Sequence, residues 1–127
     1  MNRETKFRAW HKKYKEYWEV MSILFDTQEL ELYEWGNVRF DEVILEQYTG
    51  LKDKNGVEIY GGDIVKWGHL NNEEKTHRIA IVEMYPDIQF HLIKNDVVFK
   101  FGSFAYQDTG NHLEVIGNTN ENKELLK

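Results

Sequence analysis

The chain has 127 residues, of which 41% are hydrophobic and 30% charged, with 18 aromatic side chains (4 Trp, 7 Tyr, 7 Phe). A chain of that length buries roughly two-thirds of the surface it exposes when unfolded, which fits one domain or two closely packed subdomains and excludes both a pair of independent enzyme domains and a disordered chain. There is no cysteine and the formal net charge is −6. Disulfides, thiolate nucleophiles and Cys-based metal centres are therefore excluded, a reducing compartment is expected, and the basic excess that accompanies most phosphate-backbone binding is missing.

Residues Met1 to Trp10 carry Arg3, Lys6 and Arg8 but no apolar export signal, and no stretch approaches the length of a membrane span. Charge is uneven along the chain. Residues 1–20 hold six cations against three anions, residues 21–48 one against seven, and residues 49–127 nine against twelve.

Runs of β-branched and aromatic residues, four to eight long, recur from end to end: Phe7 to Trp10, Trp18 to Leu24, Leu30 to Trp35, Val43 to Tyr48, Ile64 to Trp67, Ile79 to Tyr85, Ile88 to Leu92, Val97 to Phe101 and Leu113 to Ile116. Between them stand turn signals at Trp35-Gly36-Asn37, Asn55-Gly56, Gly61-Gly62-Asp63, Lys94-Asn95-Asp96 and Thr109-Gly110-Asn111, where Gly and Asn adopt positive φ cheaply. Short strands joined by tight turns predict a mainly β chain, a small antiparallel barrel or a folded antiparallel sheet. Phe40 to Gln47 has helix-compatible spacing, but Val43, Ile44 and the run onward to Tyr48 favour a strand. One short helical turn is expected at the end, with Asn122 capping Lys123 to Leu126.

The central block runs Tyr48-Thr49-Gly50-Leu51-Lys52-Asp53-Lys54-Asn55-Gly56-Val57-Glu58-Ile59-Tyr60-Gly61-Gly62-Asp63-Ile64-Val65. It resembles the signature of the YopX-like family of phage and prophage proteins. Lys6-Phe7-Arg8-Ala9-Trp10 is similar to that family's opening strand, and Leu113-Glu114-Val115-Ile116-Gly117-Asn118 with Asn120 to Leu126 is similar to its closing strand and final turn. Departures are His11 where Asp is frequent, Gly61 where Glu is usual, and Lys123 where Pro often opens the last turn. The resemblance implies a single YopX-like domain over 1–127, with an N-terminal β extension over 1–47 and an SH3-like barrel over 48–127. It also implies phage or prophage origin, action in the cytoplasm of a bacterial host cell, and no established chemistry.

Within the central block the polar residues suit scaffolding. Asn55-Gly56 supplies a tight turn, and Asp53 can accept backbone N–H bonds two residues on. Gly61 and Gly62 permit a reversal, after which Asp63 can bond turn amides before a strand begins. The calcium-loop pattern fails, because counting from Asp53 places Glu58 at position six and Ile64 at position twelve, where glycine and an acid are required. His11, His69, His77, His91 and His112 show neither HExxH nor H-x-H spacing; His69 and His77 flank Glu73-Glu74 in a polar loop, and His91 alternates with Phe90 and Leu92 on the outer face of a strand. Ser22 and Ser103 stand outside any nucleophile elbow, and phosphate-cradling glycine patterns are absent. The acidic pairs Glu29/Glu31 and Glu73/Glu74 have no perturbing neighbour in sequence. No catalytic residue, cofactor or metal is expected.

One stretch mixes cations with aromatics: Lys6, Phe7, Arg8, Trp10, His11, Lys12, Lys13, Tyr14, Lys15, Tyr17 and Trp18. That combination can grip single-stranded nucleic acid by phosphate attraction and base stacking. The competing reading is an edge hairpin whose lysines discourage sheet-to-sheet pairing while Phe7, Trp10 and Trp18 enter the core and acidic residues between Leu30 and Glu46 neutralise the cations. The second reading is preferred. The expected function is a non-enzymatic module that binds a host or phage protein, or further copies of itself, with Lys6, Arg8, Lys12, Lys13, Tyr14 and Lys15 as candidate contacts; nucleic-acid binding through the same residues is the alternative.

Overall fold

The computed structural model describes residues 5–67, 78–84, 88–93, 98–100 and 113–126. Eleven strands account for nearly all of the regular structure among them. The chain divides into two compact units, Met1–Tyr48 and Thr49–Lys127.

The first unit is a meander of β1 (Phe7–His11), β2 (Glu16–Leu24), β3 (Glu29–Leu32) and β4 (Gly36–Arg39), followed by a single 3-10 turn at Phe40–Glu42 and by β5 (Val43–Lys52), whose later residues belong to the second unit. Tight turns join the antiparallel strands, in register Trp10↔Tyr17 between β1 and β2 and Leu30↔Val38 between β3 and β4. β5 returns along the other side of β1, with Ala9 opposite Leu45. Period-two alternation sends Ala9, Leu30, Leu32, Val38 and Val43 into one buried cluster, against which Trp18, Val20, Ile23 and Phe40 pack. In hydrogen-bonding order the strands of this unit run β4-β3-β2-β1-β5.

The second unit adds β6 (Glu58–Tyr60), β7 (Asp63–Trp67), β8 (Arg78–Glu83), β9 (Gln89–Leu92), β10 (Val98–Lys100), β11 (Leu113–Asn118) and a 3-10 turn at Lys123–Leu126. Its sheet has the order β10-β9-β8-β7-β11. The inward residues of β8 and β9 face one another as Ala80↔Leu92 and Val82↔Phe90, and with Ile59, Val65, Ile88 and Leu113 they build the core. Phe90 is completely buried, a contribution of about 2–3 kcal/mol from apolar burial.

The chain is thus mainly β among the described residues, with two antiparallel sheets and almost no helix. Among the described residues the sheets are open rather than closed into one barrel, because β10 and β11 stand at opposite edges of the second sheet. Several expectations change in detail. Leu30 to Trp35 is not one strand: it stops at Leu32 and turns through Tyr33–Trp35, so that Gly36 and Asn37 begin β4 instead of making the turn. Phe40 to Gln47 splits into a 3-10 turn and the start of β5, and Glu58–Tyr60 forms a strand absent from the expected set. The hairpin of β1 and β2 lies inside the sheet, not at its edge, because β5 pairs with the far side of β1. At the end, Asn122 stands just before the last turn and its carbonyl accepts the Leu125 N–H, while its side-chain Oδ1 turns back to accept the backbone N–H of Asn118 at 3.0 Å and its Nδ2 lies 3.5 Å from Glu124 Oε1. The turns expected at Lys94-Asn95-Asp96 and Thr109-Gly110-Asn111, together with Trp67's side chain, Tyr85, Val97, Phe101, Ser103, His69, Glu73, Glu74, His77 and His112, lie outside the described residues.

Candidate functional site

The polar turn residues of the central block are occupied with backbone. Asp53 is only 5% exposed. Its Oδ1 accepts the N–H groups of Asn55 (2.8 Å) and Val57 (2.9 Å), and its Oδ2 accepts that of Val115 (2.9 Å). Two backbone bonds lock the same turn, Asp53 N to Val57 O and Gly56 N to Asp53 O, and Lys54 N donates to Leu113 O. Burial pushes the Asp53 carboxyl up, but the amides of Val115, Val57 and Asn55, with Lys54 nearby, outweigh that and hold it below the ordinary aspartate range. Gly56 takes φ +82°, in the left-handed region that other residues avoid, which is why the turn has glycine there. The Asp53 side chain thereby ties the turn after β5 to β11, 62 residues further along.

The second turn is built likewise. Asp63, 2% exposed, accepts the Tyr60 N–H at 2.8 Å through Oδ2. Gly61 and Gly62 form the turn between β6 and β7; Gly62, at φ +95°, donates to Val82 O and accepts from Thr119 N. Carboxylates committed to structural amides in this way are poorly disposed to carry protons or ligands.

The basic and aromatic stretch separates into three environments. Lys6 places Nζ 5.1 Å from the ring centre of Tyr48. Arg8 Nε lies 2.8 Å from Glu46 Oε1, an oxygen that also accepts the Tyr17 hydroxyl at 3.0 Å, and the guanidinium stacks 4.2 Å over the Tyr17 ring. Glu46 is 7% exposed, so this is a buried ion pair that binds β1, β2 and β5 together. Trp10 is 8% exposed and packs on Tyr17 at 4.9 Å, and Trp18 lines the core of the first unit. Only the turn between β1 and β2 presents the remaining candidates outward: Lys12, Lys13, Tyr14 and Lys15 are all exposed. Lys12 Nζ reaches the Asp41 carbonyl at 3.1 Å, and Lys13 Nζ sits 5.4 Å from the Tyr14 ring centre.

The fold also exposes apolar side chains that sequence reasoning did not single out. Met21 is 58% exposed, Leu24 37% and Phe25 75%, all in the later part of β2 and in its turn to β3; Phe25 meets the Phe40 ring edge-on, 6.3 Å between ring centres. Their signal in the sequence is faint, because each sits in or beside an apolar run that reads as core. Trp35 is also exposed and stacks with Tyr14. His91, on β9, points its Nδ1 at Glu83 Oε2 across 3.3 Å. Among the described residues no three His, Cys, Asp or Glu side chains converge as a metal site, and no helix is long and apolar enough to cross a membrane.

Comparison with known proteins agrees with the fold. The family described as "YopX protein" matches residues 6–127. The crystal structure of protein EF1440 from Enterococcus faecalis is similar over 99% of this chain and 100% of that one, at 28% identity and a TM-score of 0.67. No curated protein matches the sequence. The chain belongs to the YopX family.

Proposed function

We propose that this member of the YopX family is a non-enzymatic accessory module of phage or prophage origin, which works in the bacterial host cytoplasm by binding a host or phage protein or a further copy of itself. The observation that carries this reading is the exposed apolar end of β2: Met21, Leu24 and Phe25 place large side chains in water where a soluble surface prefers polar ones. Burying a single exposed phenylalanine or methionine in a partner contributes about 1.5–3 kcal/mol, so three large apolar side chains within five residues of chain suffice for a protein contact of moderate strength. The use of Asp53 and Asp63 as backbone acceptors supports a scaffolding rather than a catalytic role. An SH3-like arrangement of the second unit is the finer reading of its fold, supported by the five-stranded sheet and by the bonds from Asp53 and Lys54 that bring the β5–β6 turn onto β11.

The test compares the wild-type chain with Phe25→Asp and Met21→Glu. Light scattering over a range of concentrations, and affinity capture from infected or lysogenic cells, are expected to show an assembly or a captured protein that both variants lose. A monomer at every concentration, with captured proteins identical for wild type and variants, would overturn the proposal.

A further inference from the structure

At the opposite end of β2 the turns 12–15 and 33–35 lie together. Tyr14 and Trp35 are 5.2 Å apart between ring centres and are 49% and 39% exposed. They rest on less exposed rings. His11, 4% exposed, lies 4.7 Å from Tyr14 and 5.5 Å from Trp35, and Trp18 lies 5.2 Å from Trp35. His11 is itself fixed, since its Nδ1 accepts the backbone N–H groups of Lys13 and Tyr14 at 3.3 Å each. The outer rings are therefore held by a braced turn, and little ordering remains to be done when a flat ligand lands on them. Lys12, Lys13 and Lys15 surround Tyr14 within four residues of chain.

We propose that this tip is a binding site for single-stranded nucleic acid, with Tyr14 and Trp35 stacking on bases and Lys13 and Lys15 meeting the flanking phosphates. Two outward rings beside clustered lysines match the two requirements of such a strand, a π-face for the base and positive charge for the backbone. Exposed Trp and Tyr also suit protein contacts, but the lysines on either side of Tyr14 favour a strand that carries a phosphate with each base. Glu16 and Glu34 flank it, and Asp41 and Glu42, both paired with Arg39, lie against Lys12 and His11, so charge around the tip is close to balanced, Lys13 and Lys15 carry the phosphate contacts, and binding is confined to low salt. The site is separate from the apolar surface at Phe25 and stands or falls independently of it.

The experiment measures fluorescence anisotropy of labelled oligo-dT and oligo-rU strands of about twelve nucleotides with the wild-type protein. Binding of either strand supports the proposal, and the tighter one identifies the preferred sugar. Two phosphate contacts predict that raising salt from about 50 to about 200 mM weakens affinity about sevenfold, from a slope near −0.7 per contact. Tyr14→Ala and Trp35→Ala should each weaken binding about fivefold or more, the lower bound for one lost stacking partner. Lys13→Gln with Lys15→Gln changes only exposed turn side chains, so it keeps the test decisive if a ring variant misfolds; it should flatten the salt dependence. Phe25→Asp should leave oligonucleotide affinity unchanged. No binding at about 100 μM protein in low salt, affinity indifferent to the ring and lysine variants, or protein capture that depends on Tyr14 without oligonucleotide binding would each overturn the assignment.

Discussion

Replacing Asp53 tests the tie between the β5–β6 turn and β11. In Asp53→Ala the amides of Asn55, Val57 and Val115 lose their acceptor together. Asn55 and Val57 are exposed, and water can take over much of their bonding, so each forfeits about 0.5–1 kcal/mol. Val115 is half-buried within β11, and its charge-assisted bond contributes about 1.5–3 kcal/mol. The expected loss is about 3–4 kcal/mol, a fall of about 4 °C in Tm for each kcal/mol at this chain length. In Asp53→Asn one oxygen can still serve Asn55 and Val57, but an NH2 group then faces the Val115 N–H, donor against donor, and about 2 kcal/mol should be lost. Chemical denaturation followed by circular dichroism gives both values. Because the folded carboxyl titrates below its unfolded value near 3.9, the unfolded chain takes up the proton first as pH falls. The advantage of wild type over Asp53→Asn should therefore hold steady above about pH 5 and shrink below about pH 4. An alanine variant within about 1 kcal/mol of wild type, or a gap to asparagine that widens in acid, would refute this account of the carboxylate.

Two further outcomes are expected. A Cβ added at Gly117 would come within 2.5 Å of Asn122 Oδ1 and 2.7 Å of its Cγ, so Gly117→Ala should destabilise by about 1–3 kcal/mol and much less when Asn122→Gly is already present, a coupling measured by a double-mutant cycle of denaturation curves. Glu46→Ala removes the buried carboxylate that pairs with Arg8 and accepts the Tyr17 hydroxyl, which should lower stability by about 3 kcal/mol, while Arg8→Met combined with Glu46→Leu should recover most of that loss in the same assay.

Most strands were legible because alternation is a local property. Val82, Phe90 and Leu92 announce their buried face within four residues of themselves, whatever lies across the sheet. The missed turns have a different cause. Lys15, Gln28 and Glu34 adopt φ of +56°, +58° and +63°, conformations that Gly or Asn would normally signal, so the hairpin ends at these positions carry no compositional mark. Trp35 beside Gly36 therefore read as the end of a strand and the start of a turn instead of the last residue of one. The same limit applies to the sites. The bond from Asp53 to Asn55 spans two residues and can be foreseen from side-chain chemistry, whereas the one to Val115 depends on which strand arrives 62 residues later. That acids between Leu30 and Glu46 could neutralise the N-terminal cations was legible from charge alone, but which acid meets Arg8 is set only when pairing of β1 with β5 puts Glu46 opposite it. Trp35 joins Tyr14 only through the adjacency of two turns that nothing in the local sequence specifies.

The place of β11 beside β7 has a bearing on synthesis. As the polypeptide leaves the ribosome, residues 63–67 emerge well before residues 113–118 exist to cover their outer hydrogen-bonding row. During that interval a bare, β-branched margin is open to pairing with neighbouring nascent chains. Messages truncated anywhere between those two segments should therefore yield aggregating fragments, not shortened soluble ones.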